Sequence, residues 1–466
     1  TLNLGARIEI YPLMTRANRG LERLDYNTYT VLLGGLGGVP NDNGLTLKHV
    51  YFSPRIGAAY RLDQKSVLRG GYTQTYNALP WSRPLRGSFP QDVNFNDSAE
   101  QYFSNRTLAT GIPPVVIPDI SSGRVKLPPG VYIRSPNIGV EYFPGSGKGL
   151  DRATIHQWNI AYQREFPLKL VTSFAYVGTK TDGGYADLNL NYGEPGGGNA
   201  ARKYFAVAGT TAINDWANRT KTRYDAFQIE VNRGFADGVM IKGGYTLSRA
   251  KNMADEDGWT GLTWNHPLKF ADSFALGGFD RTHNFEMGFL CELPFLKTRT
   301  DWTGKLFGGW QFNGIYSHFS GAPFSIGGSN PPLNCAGCGS VLINVNGDPK
   351  PTGAVGSYTT QTYYDKTLFS QPTGLDKNGF GTSRRNQFRL PRQFNLDMSL
   401  FKIFKLTERF RSEFRIEAAN LLNHTNWGGP NTSITSPLFL QFSPGNTTSG
   451  NTPGPRRIQF GLRVSF

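Results

Sequence analysis

Hydrophobic and polar residues alternate one for one through much of this chain, the period at which successive side chains of a strand face opposite ways. At the C-terminal end Ile458, Phe460, Leu462, Val464 and Phe466 share one face, and Arg457, Gln459, Gly461, Arg463 and Ser465 share the other. Phe410, Phe414, Ile416 and Ala418 oppose Arg411, Glu413, Arg415 and Glu417, and Phe394, Leu396, Met398 and Leu400 oppose Asn395, Asp397 and Ser399. Trp158, Ile160 and Tyr162 oppose Gln157, Asn159 and Gln163; Phe227, Ile229 and Val231 oppose Gln228, Glu230 and Asn232; Phe285, Met287, Phe289, Cys291 and Leu293 oppose Asn284, Glu286 and Glu292. The pattern predicts about twelve strands, near 2–11, 52–62, 66–76, 154–165, 168–178, 222–234, 239–249, 281–293, 306–319, 392–404, 408–420 and 456–466.

Soluble sandwiches and membrane barrels both alternate, so the connections decide between them. Short links at 63–66, 166–167, 235–238 and 406–407, with a longer one at 294–305, separate long ones at 12–51, 77–153, 179–221, 250–280, 320–391 and 421–455. Tight turns at one end and long loops at the other is the layout of an outer-membrane barrel, with periplasmic turns and extracellular loops. The expected fold is therefore all-β: a transmembrane antiparallel β-barrel domain over 1–466, its aliphatic and aromatic face toward lipid and its polar face toward a wet lumen. Arg411, Glu413, Arg415 and Glu417 beside Asp397 suggest lumenal ion-pair ladders between neighbouring strands. Trp81, Trp158, Tyr162, Tyr176, Tyr245, Trp310 and Tyr316 fall near strand ends, where interface girdles form.

Composition changes this picture little. Of 466 residues, 38% are hydrophobic and mean hydropathy is −0.39, without a run of about 20 apolar residues that a membrane helix would need. A barrel hides behind such averages because half of each strand faces water. The 56 glycines and 29 prolines agree with many turns. A net charge of +15 raises nucleic acid as a partner, but the basic residues are spread through strands and loops, not gathered with aromatics on one module, so no nucleic acid is expected. Outer-membrane lipid and lipopolysaccharide phosphates are the expected partners of rim and loop Lys and Arg. The chain opens at Thr1 within an alternating segment, which suggests a fragment.

Segments 52–81, 157–180, 225–252, 279–295, 308–325 and 392–434, among them FSPRIGAAYRLDQKSVLRGGYTQTYNALPW and RQFNLDMSLFKIFKLTERFRSEFRIEAANLLNHTNWGGPNTSI, resemble the barrel of Oar-like TonB-dependent transporters. The resemblance covers most strands in order, while the loops diverge. It implies the C-terminal portion of a 22-stranded barrel that takes up a scarce ligand, with TonB and a plug domain engaged only through an N-terminal part absent from this sequence. The final IQFGLRVSF resembles the signal read by the barrel-assembly machinery, carried by Phe460, Leu462, Val464 and Phe466. A structural or adhesive surface barrel and a plugless passive pore are the rival readings.

Aromatic placement near the extracellular end makes Tyr72, Tyr76, Trp81, Trp259, Trp264 and Trp427 the candidate ligand contacts. Cys335 and Cys338 in the 320–391 loop suit a loop-stapling disulfide in an oxidising compartment. The acidic residues Asp255, Glu256 and Asp257 lack EF-hand spacing, leaving Ca²⁺ in the 253–258 loop an open question. No HExxH, GxSxG, Walker A or nucleophile–base arrangement is legible, so neither an enzyme, a metal centre nor a cofactor is expected.

Overall fold

A computed structural model of the chain describes residues 1–12, 20–44, 48–77, 90, 107–109, 111, 116–128, 137–138, 151–255, 262–356, 361–405, 407, 409–442 and 454–465. Every strand that alternation predicts is present: β1 (Leu2–Ile10), β2 (Val50–Arg61), β3 (Ser66–Tyr76), β4 (Thr154–Phe166), β5 (Leu170–Asn189), β6 (Asn214–Ala236), β7 (Val239–Asn252), β8 (His283–Glu292), β9 (Gln311–Phe319), β10 (Gln393–Lys405), β11 (Arg411–Ala419) and β12 (Arg457–Ser465). Each pairs antiparallel with its successor in chain order, which makes one meander sheet. Among the described residues β1 and β12 do not pair with each other, so the sheet has two free edges.

The register carries one apolar face across all twelve strands. Directly opposed positions on neighbouring antiparallel strands share a face, and the series Leu4–Ile56–Tyr72–Trp158 runs through β1 to β4. Phe174–Ile229–Tyr245–Phe285 continues it through β5 to β8, and Leu400–Ile416–Phe460 through β10 to β12. Much of this face is uncovered: Leu4, Ile8, Tyr60, Ile160, Phe460 and Leu462 each show more than half of their surface. In water such a face would be an aggregation surface; in hydrocarbon it is the required one.

Tight turns close one end. The link between β6 and β7 is Asp237-Gly238, both at positive φ (50° and 79°), the two-residue turn whose twist matches a hairpin. Between β2 and β3 the Lys65 amide donates to Asp63 at 2.7 Å. The longest link at this end, between β8 and β9, holds a helix at Trp302–Phe307 capped by Asp301, whose side chain accepts from the Gly304 amide.

Two expectations are corrected. β5 and β6, with 20 and 23 residues, run well past their alternating segments and shorten the 179–221 link. Beyond the apolar band both faces of this hairpin are covered, with Tyr185, Ala186, Leu188, Trp216 and Ala217 all buried, so the period-2 signal vanishes there. The charges of β11 do not ladder across to β10, where their opposite positions are Ser399, Phe401, Ile403 and Lys405. Instead Arg415 pairs along its own strand, with Glu413 and, at 3.7 Å, with Glu417.

The face assignment has a direct test. Ile229→Arg on the outward face should cost about 2–4 kcal/mol of folding stability in liposomes, measured by denaturant titration. Gln228→Arg, one residue away on the polar face, should cost far less.

Candidate functional site

Two features stand out from the sheet: a groove on its polar face and a cap at its long-loop end. The groove, a cleft of about 500 Å³, lies on β5 to β9 and is lined by Ser173, Gln228, Glu230, Lys242, Thr246 and Glu286 among others. Its shape follows from register. Glu230 on β6 and Glu286 on β8 both stand opposite Gly244 on β7, so the middle strand contributes no side chain between the two carboxylates. Lys242 lies two residues before Gly244 along β7, on the same face. Charges here are tolerable because the face is wet.

The cap is where the protein keeps its buried core. One cluster joins Leu24, Tyr29, Val31 and Leu33 to Val125, Leu188, Tyr204, Ile213, Met253 and Leu262, drawing together four of the long loops. A second joins Ile326, Ile343, Tyr364, Phe369 and Phe388 to Phe439 and Leu440. Trp264, Leu333, Cys338, Leu342 and Phe380, with Tyr192 against them, tie the 179–221, 250–280 and 320–391 loops together. Loops that look polar on average therefore fold into packed structure, with a three-stranded sheet at 22–25, 30–33 and 124–126.

Buried charge locks two of these loops together. Arg389 reaches Asp280, which is almost wholly buried, at 2.5 Å and Thr282 Oγ1 at 2.9 Å. Arg385, also buried, donates to the carbonyls of Asn252 (2.7 Å) and Ser273 (3.3 Å) and pairs with Asp255 at 3.4 Å. Burial works to raise the Asp255 carboxyl, but the Gly278 amide, Asn252 and Arg385 outweigh it and hold the group below its ordinary value. Burial depresses the His266 imidazole, opposed by Glu194 at 3.4 Å, and His266 Nδ1 accepts from the Leu268 amide at 3.3 Å.

The candidate residues do not converge. Trp81, Trp259 and Phe466, together with Glu256 and Asp257, lie outside the described residues. Tyr72 belongs to the outward face, its hydroxyl 2.8 Å from His156 Nδ1. The Tyr76 hydroxyl donates to the Phe52 carbonyl at 3.2 Å, and its ring meets Tyr51 with centroids 4.6 Å apart. Trp264 is fully buried and donates from Nε1 to Ser340 O at 2.8 Å, which makes it an anchor between loops. Trp427 packs on Phe442, ring centroids 5.8 Å apart. None of these four lines the groove.

Phe460, Leu462 and Val464 stand exposed on the outward face of β12. Cys335 and Cys338 are joined, with Cα atoms 5.5 Å apart, and both sulfurs lie against the Gly193 carbonyl oxygen at 3.2 and 3.1 Å. Asp255 spends its Oδ1 on the contacts above, and among the described residues no group of three or more His, Cys, Asp or Glu is placed to hold a metal. The groove residues Glu230, Lys242 and Glu286 were not among the candidates; their alternation parity puts them on the polar face, but only pairing shows which ones neighbour each other.

A twelve-strand antiparallel meander with an uncovered apolar face, tight turns at one end and long loops at the other is the architecture of an outer-membrane β-barrel. The family model "Outer membrane beta barrel domain" matches residues 1–459, and the chain belongs to that family. Among solved structures it is similar to the ferric-catecholate import receptor Fiu from K12 E. coli, at 12% identity and TM-score 0.39, over 100% of this chain and 42% of that one. It is also similar to the outer membrane transporter YddB from Escherichia coli (10% identity, TM-score 0.40, 94% of this chain, 43% of that one). The siderophore receptor PiuA from Acinetobacter baumannii gives 7% identity and TM-score 0.40 over 89% of this chain and 36% of that one. The chain thus spans less than half the length of each of these structures. No curated protein matches it.

Asp280→Ala should remove the buried carboxylate that pairs with the partly exposed Arg389 and accepts from the Ala250 amide, and cost about 1–3 kcal/mol; limited proteolysis should then cut the 250–280 and 320–391 loops faster while the strands stay protected. Acid should loosen the same cap. The unfolded His266 ring takes its proton near pH 6.5 and the folded ring only at lower pH, so stability falls as pH drops below about 6.5. Proteolysis at pH 5 should outpace that at pH 7.5, and His266→Asn, which keeps a helix-capping acceptor without the titration, should narrow the difference.

Proposed function

We propose that this chain is the C-terminal portion of the barrel of an Oar-like TonB-dependent transporter, which captures a scarce ligand outside the cell and passes it through the lumen. The observation that carries the reading is the pairing of a polar, wet inner face with long loops condensed into one packed cap at the same sheet's outer end. A ligand-gated receptor needs a shaped outer surface as well as a path; a bare pore needs only the path. The two free edges add support, because an open sheet edge is not tolerated in hydrocarbon and further strands would close it. In this reading TonB acts through a plug domain belonging to the rest of the protein, and Phe460, Leu462, Val464 and Phe466 serve recognition by the barrel-assembly machinery. Tyr76, Trp81, Trp259 and Trp427 remain proposals as ligand contacts, with Trp264 acting behind them as a loop anchor and Tyr72 set aside because its face is turned outward. Catalysis has no part in it.

A passive pore is the reading to beat, because twelve is an even number of strands with both ends of the sheet on one side. Planar-bilayer recording on the reconstituted chain separates the two. The transporter reading expects no steady conductance from residues 1–466 alone; a stable open channel of fixed conductance would replace it with the pore.

A further inference from the structure

Cations at the short-turn end of the outward face are answered by the chain itself. Arg233 donates from Nε to the Leu168 carbonyl at 2.8 Å and from Nη1 to that of Val239 at 2.6 Å. Lys402 donates from Nζ to the carbonyls of Lys305 (2.6 Å), Leu306 (3.0 Å) and Gly308, at the end of the 302–307 helix. The opposite end of the same face is built differently. Lys180 on β5 stands directly opposite Arg223 on β6, and Arg223 directly opposite Lys251 on β7. Three like charges in register across three strands work against the sheet.

More positive charge surrounds that line. Lys221 lies two residues from Arg223 and Arg249 two from Lys251 on the same face. The ammonium groups of Lys221 and Lys251 stand 4.7 and 5.8 Å from the centre of the Phe274 ring. Arg384 of the 320–391 loop is within electrostatic reach of Lys251. Two carboxylates answer in part: Asp182 pairs with Lys180 and stands directly opposite Lys221, and Asp225 pairs with Arg223 and stands directly opposite Arg249, each ion pair at 2.6 Å, which leaves five cations against two anions. Lys221, Arg249 and Lys251 have no carboxylate within ion-pair distance among the described residues.

Height on the membrane picks out the missing partner. From Arg233 to Arg223 is ten residues of β6. At about 3.4 Å per residue and a tilt of about 35–45°, that is roughly 24–28 Å along the membrane normal, the height of a barrel's apolar band. The cationic line therefore sits at the outer boundary, with Tyr176, Phe227 and Leu247 exposed just below it. We propose that Lys180, Arg223 and Lys251, with Lys221 and Arg249, bind the phosphate groups of an outer-leaflet lipid whose acyl chains lie on that apolar surface. Arg223 gives Nε and Nη2 to Asp225, at 2.7 and 2.6 Å, so the point charges of Lys221 and Lys251 and the guanidinium of Arg249, none of them ion-paired among the described residues, supply the main attraction for phosphate oxygens. The inference rests on the outward orientation of this face and is independent of whether the chain transports anything.

Thermal unfolding of the whole chain in neutral detergent tests the site with three probes: phosphorylated lipopolysaccharide, the same lipid dephosphorylated, and inorganic phosphate. Phosphorylated lipid should raise Tm by about 2–5 °C in a saturable way, and the other two should not. The triple variant Lys180→Gln, Arg223→Gln, Lys251→Gln should lose the shift. Lys180→Arg with Lys251→Arg should keep the shift, and guards against a triple variant that does not fold. An equal shift in the triple variant, or with dephosphorylated lipid, overturns the proposal. An equal shift with inorganic phosphate shows a site for free anions and overturns the lipid as its occupant.

Discussion

Hydrocarbon offers no partner to a backbone amide or carbonyl, and that single constraint organises the molecule. It favours strands hydrogen-bonded on both sides, as β2 to β11 are in the uninterrupted meander that runs from β1 to β12. It also requires one side of each strand to be apolar, which fixes register: a slip by one residue would turn Phe285, Met287 and Phe289 to water and Glu286 to lipid. Charged side chains on the apolar side survive only where something answers them, as the turn carbonyls do for Arg233 and Lys402.

The membrane-spanning part has almost no buried core of its own, since lipid covers one face and water or protein the other. Conventional burial begins where the apolar band stops. There β5 and β6 continue as a hairpin with both faces covered, including an Asp215–Arg219 ion pair out of contact with solvent, and the 12–51, 77–153 and 250–280 loops pack around it. The protein is thus two physical regimes sharing the same strands, one stabilised by its solvent and one by its own side chains.

That division explains what could be read from the sequence. Strand positions were legible because a two-faced environment writes a period of two; Phe460, Leu462 and Val464 are outward as their parity requires. The long-loop and short-turn ends were legible from spacing. The upper halves of β5 and β6 were not, because Ala186, Leu188, Trp216 and Ala217 are buried whichever way they point and leave no alternation. Trp264 reads as a loop aromatic open to a ligand, and only its contacts with Ser340, Leu333 and Phe380 reveal an anchor. The Glu230–Gly244–Glu286 grouping depends on two registers at once, information that no single strand holds.

The cap's cores have a kinetic meaning. Leu24 and Leu262 meet in one cluster, Ile326 and Leu440 in another, so contacts close loops of a hundred residues and more. Loop closure over such separations is entropically slow unless something already holds the ends together. Here the paired strands do that, by fixing the roots of every loop at one rim. The loops must therefore cross the membrane unpacked and condense afterwards, which makes the cap the last part of the protein to become native.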